Sequence, residues 1–131
     1  MSLRKLFVNA VCWAPAILYM ALIFHLSSGP VPEPVKHTPI FVQIKVSHIT
    51  EYAILNLLLF FAIRTTTKVP YGWQAVYSIF LTYIYGLTDE LHQVFVPGRS
   101  ASFIDSFTNL ISAVLVQGVI YLVMRRFKKP G

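Results

Sequence analysis

Four long apolar runs, near residues 7–26, 47–63, 73–88 and 103–124, limit what this chain can fold into. Lipid offers the backbone no hydrogen-bond partner, so a bilayer-crossing helix needs about 20 mostly apolar residues, within a range of about 17–25. The first and last runs reach that length. The middle two reach it when their polar outer turns stay helical. The expected fold is therefore all-α: an integral membrane four-helix bundle, forming a single transmembrane domain over residues 1–131. Only 12% of the chain is charged, about half of the ~25% usual in soluble domains, which agrees with that reading.

The first run also has features of a signal peptide. Arg4 and Lys5 precede it, and Ala14-Pro15-Ala16 has the small-x-small form of a cleavage site. The run continues to Phe24 without a polar stretch, so a retained helix is expected, with Pro15 as a tolerated kink. Cys12 is the only cysteine, which leaves no disulfide framework and no cysteine metal cluster.

The formal net charge is +6, but the basic residues form no soluble patch. Short connections and chain ends carry them, which suits anionic headgroups and excludes nucleic acid as the expected partner. Arg4, Lys5, Arg64, Lys68, Arg125, Arg126, Lys128 and Lys129 fall on one side of the four runs. Lys36, Lys45 and Arg99 fall on the other. The positive-inside rule then places both termini in the cytoplasm. All five acids belong to the outward side or to the helix turns nearest it, so the expected polar site faces outward.

Helical spacing groups the polar residues. Lys45, His48, Tyr52 and Asn56 fall within an arc of about 80°, with Glu51 roughly 60° from His48. Tyr85, Asp89, His92 and Gln93 fall within about 100°, with Glu90 displaced by about another 60°. Ser102, Asp105, Asn109 and Ser112 share a face of about 80°. Such stripes face the bundle interior rather than lipid tails. Each residue alone could be a structural hydrogen bond between helices; together, and beside Ser27 and Ser28 at the end of the first run, they point to one shared site. Ser102-Phe103-Ile104-Asp105 has capping-box spacing, and Val96-Pro97-Gly98-Arg99 reads as a turn. Prolines 30, 32, 34 and 39 exclude a helix from the first connection, which is a spacer or a lid.

Three motifs in these stripes, Lys45-x-x-His48-x-x-x-Tyr52, Asp89-Glu90-x-His92-Gln93-x-Phe95-Val96-Pro97-Gly98-Arg99, and Ser102-x-x-Asp105 with Asn109, resemble the VanZ-like family of small bacterial membrane proteins. The resemblance runs from Ser27-Ser28 to the fourth run. One position departs from it: Ser112 stands where the family usually has Gly. The resemblance implies a multi-pass protein of the bacterial cytoplasmic membrane. The family takes its name from a member that confers low-level resistance to the glycopeptide teicoplanin, and this implies no established reaction.

Three functions are open at this stage. The first is an enzyme acting on a lipid-linked envelope substrate, a hydrolase or a transferase. His48, Glu51, Asp89, Glu90, His92 and Asp105 would then exchange or position protons. Ser27, Ser28, Lys45, Tyr52, Gln93, Arg99, Ser102 and Asn109 would hold the substrate, with Arg99 offering its fork to a phosphate. Carboxylates and imidazoles could hold a divalent metal, although no diagnostic ligand spacing is present. The second is a non-catalytic protein that binds a lipid, a glycopeptide or an envelope partner. The third is a small transporter, against which stands the clustering of charged residues near one side. The sequence leaves the oligomeric state open.

Overall fold

The computed structural model of the chain describes residues 2–29, 40–99 and 102–127, and of residues 40–48 the backbone alone. Among the described residues four helices follow in order: α1 Leu3–Ser27, α2 Ile40–Thr66, α3 Tyr71–Gln93 and α4 Phe103–Phe127. Each expected apolar run lies inside one of them, and each helix extends further because its polar outer turns remain helical. The ends have local causes. The Ser2 hydroxyl accepts the Lys5 N–H at 3.4 Å and opens α1. At the end of α2, the hydroxyls of Thr65, Thr66 and Thr67 turn back onto carbonyls of the preceding turn. Pro70 precedes α3, where its missing N–H is no loss.

The helices run alternately up and down. The Trp13 indole donates to Thr66 at 3.2 Å, joining the first half of α1 to the end of α2. Tyr71 donates to the Gln117 carbonyl at 3.0 Å, joining the start of α3 to the second half of α4. At the opposite end of the bundle, the end of α1 meets the end of α3, and the end of α3 meets the start of α4. Helix α2 is central: it packs against all three others, whereas α1 leans on α2 and touches α3 lightly.

Among the described residues, three helices are long and apolar enough to cross a membrane: α1, the Ile49–Thr66 part of α2, and α4. Helix α3 has 23 residues, about 35 Å at 1.5 Å per residue, so it has the length to cross a bilayer. It falls short of the expectation of four apolar spans on hydropathy alone, and the cause is its buried face. That face is Gln74, Ser78, Thr82, Gly86, Asp89, Glu90 and Gln93, with no large apolar residue. The bundle reverses the soluble pattern. Leu18, Phe24, Phe61, Phe80, Leu115 and Leu122 face outward, while Asn56, Thr82, Asn109 and Ser112 are at most 2% exposed. A lipid-facing exterior and a polar interior shared between helices explain both halves of that distribution.

Candidate functional site

The end of α3 enters the bundle as a carboxylate held on both oxygens. Asp89 is 2% exposed. The Ser27 hydroxyl reaches its Oδ1 at 2.6 Å. The Gln93 amide donates to Oδ2 at 2.8 Å, and the Tyr52 hydroxyl reaches the same oxygen at 3.3 Å. Three helices therefore converge on one acid. Ionised carboxylates accept hydrogen bonds and donate none, so donors on all sides fit a charged Asp89.

Proton counting orders the neighbouring pair. The Phe24 carbonyl receives the Ser28 N–H at 3.0 Å and the Ser28 hydroxyl at 2.6 Å, which occupy its two lone pairs. The Ser27 hydroxyl, 3.0 Å from that carbonyl, then gives its single proton to the closer Asp89. Ser28 Oγ lies 2.9 Å from His92 Nε2. With the Ser28 proton on the Phe24 carbonyl, the imidazole N–H donates to the hydroxyl; in the other His92 tautomer the hydroxyl donates to Nε2 instead. The His92 ring is fixed on its other side by Phe24, 4.3 Å between ring centroids.

Glu90 and Arg99 close this end of the bundle. Glu90 Oε2 accepts the Ser102 N–H at 3.1 Å, while the Ser102 hydroxyl accepts the Ile104 N–H at 3.2 Å. The expected capping box is thus rearranged: the acid on the Ser102 N–H comes from α3 rather than from Asp105. Asp105 itself is buried in the first turn of α4, and Glu51 is half-buried on α2. Val96 to Arg99 form the expected turn, closed by the Arg99 N–H on the Val96 carbonyl at 3.1 Å. Gly98, at φ 81°, takes the left-handed position that glycine fills without strain. The turn aims Arg99 at the end of α1, where Nε donates to the Gly29 carbonyl at 3.0 Å and Nη2 to the Leu26 carbonyl at 2.9 Å. Two of its five donors are used on these carbonyls at the end of α1.

Asn109 lies deeper, fully buried, with neither amide atom hydrogen-bonded. Gly86 makes room for it: a Cβ there would sit 3.0 Å from the Asn109 amide nitrogen and 3.1 Å from the Tyr52 ring. Below it the Gln117 amide donates to Asn56 at 2.6 Å, and Asn56 donates to Thr82 at 3.1 Å. Ser112 donates to the Ile49 carbonyl at 2.6 Å.

The structure thus brings together Ser27, Ser28, Tyr52, Asp89, Glu90, His92, Gln93, Arg99 and Ser102, with Asn109 one turn deeper. Lys45 and His48 belong to α2, but their side chains lie outside the described residues, as does most of the proline-rich connection. Among the described residues no three His, Cys, Asp or Glu side chains gather as a metal ion would need. Sequence reasoning passed over Gly86, Thr82 and Gln117. For Gly86 and Thr82 the signal was available in Gln74, Ser78, Thr82, Gly86 and Glu90, small or polar residues spaced four apart on one helical face.

The fold and these motifs agree with the comparison with known proteins. Curated proteins and solved structures give no match. The VanZ/LLP1 family model matches residues 11–125, from within α1 almost to the end of α4. The chain belongs to the VanZ/LLP1 family of membrane proteins.

Proposed function

We propose that the chain binds a cell-envelope lipid or lipid-linked substrate at the Asp89 end of the bundle, and that this end faces out of the cell. One observation carries the reading: the Ser28–His92 pair, 2.9 Å apart, lies at an accessible rim above the buried Asp89. Leu91, Val94, Phe95 and Phe103 are exposed at the same end of the bundle. Polar donors beside exposed apolar side chains match the headgroup and chain of an amphipathic ligand. Asp89 and Arg99 fix the ends of α1 and α3 to which that pair belongs. The remaining Arg99 donors suit a phosphate. The orientation rests on the basic residues at the other end. Membership of the VanZ/LLP1 family adds a physiological proposal: a contribution to glycopeptide (teicoplanin) resistance through lipid held here.

A transfer or hydrolysis reaction is the second reading, and the Ser28–His92 contact favours it. If His92 takes the other tautomer and the Ser28 hydroxyl turns, its proton moves from the Phe24 carbonyl to Nε2. That arrangement is a nucleophile next to a base.

The deciding experiment incubates the purified protein with extracted envelope lipids and measures both retention and turnover. Wild type should retain lipid, and His92→Ala should retain at least about tenfold less, a loss of about 1.4 kcal/mol. Turnover by wild type that Ser28→Ala abolishes would select the reaction over simple binding. Equal retention by wild type and by an unrelated four-helix membrane protein would refute the lipid reading.

A further inference from the structure

The opposite end of the bundle carries a second arrangement, independent of Asp89. Tyr71 opens α3 with its hydroxyl tied to the Gln117 carbonyl at 3.0 Å. Its ring meets Phe60 edge-on at 5.7 Å and lies 6.1 Å from Tyr121. Next to it is a concavity of about 600 Å³ lined by Tyr71, Tyr121, Met124, Arg125 and Phe127. A second, of about 510 Å³, is lined by Leu122, Val123, Arg125 and Arg126. Arg125 belongs to both and forms the ridge between them.

We infer that this ridge binds an anionic diacyl phospholipid, with the phosphate at Arg125 and Arg126 and one acyl chain along each groove. Charge supports this directly. Arg4, Lys5, Arg64, Lys68, Arg125 and Arg126 all belong to this end, whereas Glu51, Asp89, Glu90 and Asp105, the four described acids, belong to the other. Arg64 is tethered to the Gln74 amide oxygen at 3.4 Å, so the two α4 guanidiniums are the ones presented at the groove mouths. A guanidinium fork matches phosphate oxygens. Tyr71, Tyr121 and Phe127 supply the aromatic belt usual at headgroup depth, and Leu122, Val123 and Met124 supply apolar walls for the chains. A zwitterionic lipid would bring its own cation against this basic end, so the charge selects an anionic one.

Native mass spectrometry of the full chain in detergent, titrated with phosphatidylglycerol, phosphatidylcholine and lysophosphatidylglycerol, tests the inference. Phosphatidylglycerol should bind at least about tenfold more tightly than phosphatidylcholine, and the lyso form should bind more weakly than its diacyl parent. The double variant Arg125→Ala/Arg126→Ala should weaken phosphatidylglycerol binding by about tenfold or more, taking each arginine as worth about fivefold. Arg4→Ala/Lys5→Ala, which removes the same charge, should change it by less than about twofold. All four side chains are exposed, and unchanged melting of both variants would confirm that the fold is intact. Equal losses in the two variants would mean diffuse attraction and overturn the site. So would equal binding of phosphatidylcholine, displacement by inorganic phosphate, or a protein dimer formed in place of the lipid complex. Equal binding of the lyso form would overturn the two-groove geometry.

Discussion

A carboxylate offers about four acceptor sites, and Asp89 has Ser27, Tyr52 and Gln93 directed at them. Asp89→Asn preserves the shape but turns one acceptor into a donor facing donors. It should destabilise the protein by about 1–3 kcal/mol, the cost of a buried polar group left facing the wrong partner. Tyr52→Phe removes only the 3.3 Å contact and should cost about 1 kcal/mol or less. Thermal unfolding in detergent measures both, and an Asp89→Asn effect no larger than that of Tyr52→Phe would contradict this ranking. Gly86 is the second sensitive residue. An added methyl meets both Asn109 and Tyr52 at close range, so Gly86→Ala should cost about 1–3 kcal/mol by overpacking. An unchanged melting temperature would show that the two side chains can move aside.

At the scale of the helix, Arg99 holds α1 through carbonyls that lie 73 and 70 residues away in sequence. Arg99→Ala should free the last turn of α1, read as hydrogen exchange several-fold faster around residues 24–29, while Arg126→Ala leaves it unchanged. Equal protection in both variants would remove the capping role. This partnership was not legible in the sequence, because nothing local to Arg99 marks Leu26 or Gly29. The stripe positions were legible, since Tyr52, Asp89, Gln93 and Asn109 follow from a period of 3.6 alone. The inner part of the polar face was missed for a different reason: Ser78 and Thr82 occur singly among apolar neighbours, and only their spacing of four shows that they share a face. The same face makes a prediction for α3. Placed alone in a membrane-insertion reporter, α3 should insert less efficiently than α1 or α4, and insertion should rise when α4 follows it. Equal insertion of α3 alone would mean that it needs no bundle to shelter its polar side.

Across the whole molecule, alternating helices bring the start of α1 and the end of α4 to one end of the bundle. Cysteines placed at Thr67 and Gly98, which lie at opposite ends of α3, in a Cys12→Ser background should label from opposite faces of the membrane. Labelling of both from one face would mean that α3 does not cross. Buried polar residues continue from Asp89 inward to Gln74, further than the outward clustering of charge suggested. Yet Thr82 and Ser78 direct their hydroxyl protons to backbone carbonyls, and the Asn109 amide, packed against Gly86, lies between them and Asp89. Protons committed in this way fasten helices together and do not pass along a file, which favours binding over transport.

The contacts that close the far end of α1 come from three residues of one short stretch of chain, Asp89, His92 and Arg99. Synthesis delivers α1 first and that stretch more than sixty residues later. Until then Ser27, Ser28 and the terminal carbonyls of α1 have none of these partners. The polar end is therefore assembled late in biogenesis, and a chain halted after α2 would hold a membrane hairpin without the site. The third helix and the turn after it must be made before the polar end can close.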